Sequence, residues 1–277
     1  MNERIPMSRR AVLAATAAAA GAAALPTAAQ PAPTTRHRVA IVTGSSRGIG
    51  AATAKRLARD GHAVTVNCVA NRELAAGVVR DIERAGGRAI WVQADVSDPR
   101  AVQRLFDENE RAFGGVDVVV SNAGVMRLAP FRDMSDEDFA RMMDVNQKGS
   151  FQVLREAARR VRDGGRIVTL SSSITQLRTG TYGPYAATKA AQEIYAAILA
   201  KELEGRMVSV NALAPGVVNT TLFTDGKTPQ QIAGFAQRTP HKRLGEPGDI
   251  ADVIAGLCSR DGAWINGQTV FANGGIV

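Results

Sequence analysis

Cysteine, histidine and aromatic residues are scarce in this chain of 277 residues, which has 2 cysteines and 3 histidines. Two cysteines cannot build the framework of a small disulfide-rich protein. Cys68 and Cys258 are too distant in the chain for the paired spacing of a zinc site, and no HExxH motif occurs. With 45% hydrophobic and 22% charged residues, the chain is not a disordered protein. The composition predicts a globular protein without a metal site.

The net charge of +8 is unevenly distributed. Residues 1–38 contain five arginines and one glutamate, so half of the excess lies in the N-terminal segment. Aromatic residues make up 5% of the chain, and no basic run interleaved with aromatics follows residue 38. The charge pattern therefore gives no support for nucleic-acid binding.

The first 35 residues have the layout of a secretory signal followed by a linker. Arg9 and Arg10 precede an uncharged, alanine-rich run over residues 11–25, and small residues precede a possible cleavage after Ala29. The paired arginines resemble a twin-arginine signal. As a helix the run would span about 23 Å, less than the roughly 30 Å of a bilayer core, which argues against a permanent anchor. We predict export to the periplasm; the alternative is a cytoplasmic protein with an uncleaved leader.

From residue 36 to residue 277, short β-branched runs alternate with longer stretches of helical period. This alternation is typical of an α/β domain in which helices cover both faces of a parallel sheet. It predicts one doubly wound, Rossmann-type sheet of about seven strands. The strands are predicted at Val39–Thr43, Ala63–Cys68, Ala89–Ala94, Val116–Ser121, Arg166–Leu170, Val208–Ala214 and Thr269–Ala272.

A glycine-rich turn follows the first predicted strand directly. Its sequence is Gly44-Ser45-Ser46-Arg47-Gly48-Ile49-Gly50, and a helix is predicted over residues 51–60. Glycines permit a tight turn and close approach to a pyrophosphate, and the N-terminus of the helix offers free N–H groups to an anion. The spacing is GxxxGxG, and its place between a strand and a helix predicts a dinucleotide site.

The same residues also fit GxSxG, the nucleophile elbow of serine hydrolases, with Ser46 as the nucleophile. This alternative needs a later acid and a histidine. The histidines that follow are His62 and His241, with Asp225 as a possible acid. It leaves Gly50 and the later motifs unexplained.

The end of the second predicted strand indicates which dinucleotide binds. An NAD site places an acid there for the ribose 2′-OH, but no carboxylate occurs from residue 66 to residue 72. Arg47 and Arg72 are cations suited to a 2′-phosphate, and Asn71 can donate a hydrogen bond. The sequence predicts NADP(H), although Arg72 could also be a solvated residue at a helix start.

A tyrosine and a lysine four positions apart, Tyr185 and Lys189, share one face of a predicted helix. A neighbouring cation favours the phenolate, so Lys189 could bring the pKa of Tyr185 into a useful range. Ser172 lies 13 residues earlier, after the fifth strand, and could donate a hydrogen bond to a carbonyl oxygen. Ser171 and Ser173 are the alternatives to Ser172.

In this order the motifs resemble the classical short-chain dehydrogenase/reductase family over residues 38–277, in particular its NADPH-dependent 3-oxoacyl and carbonyl reductases. The remaining motifs that carry the resemblance are Asp95-Val96, Ser121-Asn122-Ala123-Gly124, Asn146 in Asp144–Gly149, Pro215-Gly216 with Thr220, and Arg243–Pro247. Ser121 departs from the family, which usually has a second asparagine there.

The resemblance implies reversible hydride transfer between NADPH and a ketone or aldehyde. Tyr185 would donate the proton, Ser172 would polarise the carbonyl, Lys189 would tune Tyr185 and bind the ribose, and Asn146 would hold a relay water. Tyr182, Ser172 and Tyr185 would contact the substrate. The residues expected to bind the cofactor are Gly44, Ser46, Arg47, Gly48, Ile49, Gly50, Asn71, Arg72, Asp95, Val96, Asn122, Ala123, Gly124, Tyr185, Lys189, Pro215, Gly216, Val218 and Thr220.

Two further expectations concern the substrate and the partners. Residues 217–234 should form a lid over a small-molecule pocket, with Met126, Arg127, Ile174 and Arg178 on its other side. The family resemblance implies a homotetramer or homodimer, and the alanine-rich face over residues 186–200 is compatible with close helix packing. A sensor or scaffold that binds NADP(H) without turnover is the alternative from a different functional class.

Overall fold

A computed structural model describes residues 37–277. The predicted signal and linker over residues 1–35, with the possible cleavage after Ala29, lie outside this range. Seven strands run through the described residues, namely β1 (Val39–Val42), β2 (Ala63–Cys68), β3 (Arg88–Gln93), β4 (Val116–Ser121), β5 (Val161–Leu170), β6 (Ser209–Pro215) and β7 (Thr269–Ala272).

The strands form one parallel sheet in the order β3-β2-β1-β4-β5-β6-β7. Every residue of β1 and β4 is buried, as expected of central strands covered on both faces. The strand order reverses between β1 and β4, and ligands of open α/β sheets bind at the carboxyl ends of the strands at such a switch point. The predicted fold class is confirmed.

Ten helices connect the strands among the described residues. They are α1 (Gly48–Arg59), α2 (Arg72–Arg84), α3 (Pro99–Phe113), α4 (Asp136–Met142), α5 (Ser150–Arg160), α6 (Ile174–Leu177), α7 (Gly183–Glu202), α8 (Thr221–Thr224), α9 (Pro229–Arg238) and α10 (Pro247–Cys258). One apolar core packs α1, α2 and α10 on the sheet, and a second core packs α3, α5 and α7 on the opposite face. This two-layer covering is the doubly wound arrangement.

The fifth strand starts earlier than predicted. It begins at Val161, which pairs with Val116, and a register shift between Val116 and Val118 takes up the irregularity. The polar, glycine-containing stretch 162–165 lacks the apolar pattern by which a buried strand is recognised in a sequence. The remaining strands begin and end within one residue of the predicted bounds.

Between α4 and α5 the chain winds into one π-helical segment, Met143–Gly149. Such segments are rare and frequently occur at functional sites. Asn146 lies in its middle and is buried. The closing Gly149 lies against Val96, since a Cβ at residue 149 would be 2.7 Å from Val96 Cγ2. The end of the segment therefore packs against the loop that follows β3.

No helix within residues 37–277 has the length and apolar character needed to cross a membrane. The same part of the chain has no group of three or more His, Cys, Asp or Glu side chains placed to hold a metal ion. Both cysteines are buried thiols.

Candidate active site

The candidate site is an open cleft at the carboxyl edge of the sheet. It brings together predicted residues from four separate parts of the sequence. The predicted cofactor and catalytic residues that line it are Ile49, Asn122, Gly124, Ser172, Tyr182, Tyr185, Lys189, Pro215, Gly216, Val218 and Thr220. The sheet topology thus assembles one cleft from motifs up to 171 positions apart.

The glycines of the first turn are required by its geometry. Gly44 has φ +61, and a Cβ there would lie 2.8 Å from Ala123 Cα. A Cβ at Gly50 would lie 2.5 Å from the Gly44 carbonyl oxygen. Only glycine avoids these clashes, and helix α1 begins at Gly48, directly after the turn, with free N–H groups in its first turn.

The loop after β4 holds the first turn in place. Asn122 Nδ2 donates hydrogen bonds to the carbonyl oxygens of Thr43 and Gly44, at 2.8 and 3.1 Å. Thr43 Oγ1 accepts from the backbone N–H groups of Asn122 and Ala123, at 2.9 and 3.1 Å. Asn122 therefore positions the turn as well as lining the cleft.

Sequence reasoning missed Asn67, a buried residue near the end of β2. Asn67 Oδ1 accepts from the Gly44 backbone N–H at 3.0 Å, and Nδ2 donates to the Ala94 carbonyl oxygen at 3.0 Å. The side chain thus joins the first turn to the loop after β3. The signal in the sequence was a side-chain amide inside an apolar strand, because a buried amide needs hydrogen-bond partners.

The residues predicted to select NADP(H) lie on the surface near the ends of β1 and β2. Arg47 immediately precedes α1, and Asn71 and Arg72 lie at the start of α2; all three are exposed. Neither guanidinium makes an ion pair within residues 37–277. Two cations without a carboxylate partner at this corner are compatible with a 2′-phosphate.

Asp95 follows β3 and is fixed by its own loop. Its Oδ1 accepts from the backbone N–H and the hydroxyl of Ser97, at 2.9 and 2.7 Å, and Arg141 lies 3.7 Å from Oδ2. Burial opposes ionisation, but the hydrogen bonds from Ser97 and the charge of Arg141 outweigh it, so the pKa of Asp95 is lowered. Asp95 is therefore a carboxylate that can accept hydrogen bonds beside the buried Val96.

The three successive serines have different surroundings. Ser171 Oγ donates to Glu193 Oε1 at 2.7 Å, and Ser173 Oγ donates to the Ala214 carbonyl oxygen at 3.2 Å. Ser172 accepts a hydrogen bond from the Ile174 backbone N–H at 3.3 Å and forms a hydrogen bond with Tyr185. Of the three, Ser172 alone has its hydroxyl beside that phenol, while its neighbours bond to the scaffold.

Tyr185 and Lys189 are buried together on one face of α7, with 8% and 6% of their surfaces exposed. Lys189 Nζ donates to the Leu170 carbonyl oxygen at 2.8 Å and lies 5.7 Å from the centre of the Tyr185 ring. Burial lowers the pKa of Lys189 to about 8. Burial therefore destabilises the cationic form of Lys189, and within residues 37–277 no carboxylate pairs with it.

The pKa of Tyr185 differs from the sequence expectation. Burial raises it to about 12, and the hydrogen bond with Ser172 opposes this rise only in part. The sequence placed a cation one turn away and suggested a lower value. In the structure Lys189 points to the Leu170 carbonyl oxygen, and desolvation of the phenol dominates. Tyr185 is a neutral phenol at neutral pH, which suits a proton donor.

Asn146 bonds to protein groups on both sides. Its Nδ2 donates to the Val125 carbonyl oxygen, its Oδ1 accepts from the Val125 N–H, both at 2.8 Å, and its own carbonyl oxygen accepts from Gln192 at 2.8 Å. A Cβ at Gly124 would lie 3.3 Å from Asn146 Oδ1 and 3.5 Å from Lys189 Nζ. Gly124 therefore keeps the space between these two polar groups open.

The far wall of the cleft is the predicted lid, which contains α8 and α9. Thr220 caps α8, and Gly48 approaches it, since a Cβ there would lie 3.5 Å from Thr220 Cγ2. At the base of the lid, Asn219 donates from its backbone N–H to Gly245 at 2.7 Å. Met126 and Ile174 line the cleft as expected, whereas Arg127 and Arg178 are not among its lining residues and Arg238, which was not predicted, is.

The hydrolase alternative gains no support from the site. His62 lies directly before β2, at the amino end of the sheet, whereas Ser46 follows β1 at the carboxyl end. The His62 ring hydrogen-bonds to the Leu57 carbonyl oxygen at 3.0 Å. No hydrogen bond within the described chain joins Ser46 to His62 or to His241.

A parallel sheet with a glycine turn at its switch point and a buried Tyr–Lys pair beside it defines the class of dinucleotide-binding, Rossmann-type proteins. Comparisons with known proteins identify the family. Residues 44–277 match the family model described as "Enoyl-(Acyl carrier protein) reductase". A short-chain type dehydrogenase/reductase of Picea abies is 42% identical, over 87% of this chain and 92% of that protein.

Two more relatives agree with this assignment. An NADPH-dependent aldehyde reductase-like chloroplastic protein of Arabidopsis thaliana is also 42% identical, over 87% of this chain and 94% of its own. A crystal structure of a short chain dehydrogenase from Burkholderia cenocepacia in complex with NADP has a TM-score of 0.81 and 37% identity, over 86% of this chain and 97% of that one. The chain belongs to the short-chain dehydrogenase/reductase family.

Glu193 was not predicted from the sequence, yet it fixes the serine loop. Its Oε1 accepts from Ser171 Oγ at 2.7 Å and from Thr175 Oγ1 at 2.8 Å, and these residues flank Ser172. Glu193→Ala leaves both hydroxyls without this acceptor and should lower the free energy of unfolding by about 1–3 kcal/mol. Glu193→Gln keeps an acceptor oxygen and should lose less than half of that. Urea denaturation measures both, and equal losses in the two variants would exclude this role.

The buried Lys189 predicts a specific pH dependence of stability. Its pKa of about 8 in the folded chain lies below the ordinary value of 10.5. Between these values the unfolded chain binds more protons, so this residue makes the wild type more stable as the pH rises. Relative to Lys189→Met, we expect the wild type to gain about 2 kcal/mol between pH 7 and pH 10.

The measurement is chemical denaturation of both proteins without cofactor across this pH range. Lys201→Met, which removes an exposed lysine from the same helix, is the control and should track the wild type. A constant difference between the wild type and Lys189→Met would mean that Lys189 is not desolvated in the folded chain.

Proposed function

We propose that this protein reduces a ketone or aldehyde to the alcohol with NADPH, and that the reverse oxidation uses the same groups. The observation that carries the proposal is the cleft in which the buried Tyr185 and Lys189 and the half-buried Ser172 lie together with residues of the glycine turn. The family membership supports oxidoreductase chemistry, and the NADP-dependent relatives support the choice of cofactor.

The residues around the turn fit NADP(H). A cradle without Cβ atoms at Gly44 and Gly50 lies at the N-terminus of α1, where a pyrophosphate is favoured. Arg47 and Arg72 supply charge for a 2′-phosphate, and no carboxylate at the end of β2 competes for it. Bound there, the nicotinamide would supply the hydride.

Tyr185 is suited to protonate the carbonyl oxygen as the hydride arrives. Its raised pKa keeps the phenol protonated at neutral pH, and Ser172 can hydrogen-bond to the same oxygen. As Tyr185 loses its proton, the nearby Lys189 ammonium favours the phenolate that forms. The O–H bond of Tyr185 thus breaks while the O–H bond of the alcohol forms. Asn146 would hold the water through which a proton returns to Tyr185.

An oligomer stays a prediction. Apolar side chains at helical spacing on α7 face outward and favour association with a second copy of the chain. They are Ala187, Ala190, Ile194 and Ile198, and Ile194 is 58% exposed. Phe151 of α5 is also exposed.

Tyr185→Phe should reduce carbonyl reduction by at least about a thousandfold, because a phenyl ring has no proton to donate. Affinity for NADPH should stay within a few-fold of the wild type. The measurement is NADPH oxidation with an aldehyde panel, together with NADPH titration by fluorescence.

Tyr182→Phe is the matched control, since its ring stands 6.4 Å from that of Tyr185 in the same cleft. It should retain most of the turnover. Equal activity of Tyr185→Phe and the wild type would refute the acid assignment. A wild type that binds NADPH but reduces no carbonyl would favour the sensor.

The double variant Arg47→Gln, Arg72→Gln should bind NADPH about ten- to a hundredfold more weakly while its affinity for NADH changes little. Each guanidinium lost from a phosphate removes a charge-assisted hydrogen bond. Isothermal titration with both nucleotides measures the ratio. Arg80→Gln, an exposed residue of α2, is the control. Equal weakening for NADPH and NADH would place the 2′-phosphate elsewhere.

A further inference from the structure

The substrate half of the cleft has a strongly uneven distribution of charge. Its walls are mostly apolar, with Met126, Leu177, Leu222, Phe223 and Ile276 among them. Around the described cleft no aspartate or glutamate is a lining residue, and the cations that line it are Lys189 and Arg238. Lys189 belongs to the catalytic set, which leaves Arg238 without an assigned partner.

Arg238 is the last residue of α9 and lies on the lid side of the cleft. It makes no ion pair and no side-chain hydrogen bond within residues 37–277. Its guanidinium lies 5.8 Å from the centre of the Phe235 ring, which is itself a lining residue. The apolar ring leaves the planar donor groups of the guanidinium available to a ligand.

The position of Arg238 is connected to the reacting groups through Tyr182. Burial raises the pKa of Tyr182, and the charge of Arg238 is close enough to oppose that rise. The Tyr182 ring in turn meets the Tyr185 ring edge to face at 6.4 Å. A row of side chains therefore leads from Arg238 on the lid side, through Tyr182, to Tyr185, the phenol that would donate the proton.

A simpler explanation is that Arg238 only interacts with the C-terminal end of the α9 dipole. That role needs a cation in the last turn but not one that lines the cleft. Arg238 is an exposed residue that lines the cleft, and a carboxylate is the partner that can accept two parallel hydrogen bonds from its guanidinium. An anionic ligand is therefore favoured over a neutral one.

We propose that Arg238 binds a carboxylate of the substrate, so that the enzyme prefers apolar aldehydes or ketones that carry an acid group away from the reacting carbonyl. The inference rests on the proposed reductase function and adds the substrate class. Arg238 is then a specificity-determining residue, and the carbonyl group is oriented toward Ser172 and Tyr185 from the opposite end of the molecule.

The test compares acids with their neutral methyl esters. The probes are 4-formylbenzoate and 3-(4-formylphenyl)propanoate, which differ in reach, each paired with its methyl ester. We expect the wild type to show a higher kcat/KM for the acid in at least one pair. Arg238→Gln should lower the acid-to-ester ratio of that pair at least tenfold, and Arg238→Lys should keep part of it because one charged donor remains.

Lys227→Gln removes another positive charge from the lid, at a residue that does not line the cleft, and should leave the ratio unchanged. A ratio that is the same in the wild type and Arg238→Gln for both pairs would overturn the inference while the reductase stands. Failure of the wild type to reduce any of the four aldehydes, although it binds NADPH, would instead overturn the proposed function on which the inference rests.

Discussion

The hydrogen bonds that fix the first turn are the constraint on which the rest of the site depends. Thr43 and Gly44 are held by Asn122 from the neighbouring strand end, and Gly44 is held by Asn67 from the other side. These hydrogen bonds hold the carboxyl ends of β2, β1 and β4 next to one another. Protein groups alone thus hold the first turn in one arrangement.

Helix α7 carries a contrasting arrangement, because it buries a lysine and a tyrosine whose polar groups lose hydration. Among the described residues Lys189 has a carbonyl oxygen but no carboxylate as a partner, and Tyr185 is held neutral. Desolvation is the main cause that moves the pKa values of the two groups away from their ordinary values, downward for Lys189 and upward for Tyr185. Burying such groups lowers the stability of the folded chain.

The fold could be predicted almost completely because buried parallel strands appear in sequence as continuous β-branched runs. The predicted cofactor and catalytic residues lie largely around one cleft because the strand-end motifs occur at a single edge. The start of β5 was missed because residues 162–165 lack an apolar pattern, and only the pairing of Val161 with Val116 brings them into the strand. Asn67 and Glu193 were missed because their partners are brought near only by the fold. The pKa of Tyr185 could not be inferred from spacing, since burial is not a local property.

The π-helical segment between α4 and α5 places an unusual restriction on this part of the chain. One residue of an α-helix corresponds to about 100° of rotation. The extra residue of the wider π-helical turn therefore determines how the faces of α4 and α5 are rotated relative to each other. Met142 can face the catalytic cluster while Val153 and Leu154 face the sheet. The length of the chain from residue 136 to residue 160 is therefore as much a part of the site as its side chains, since an added or missing residue there would rotate α5 relative to α4.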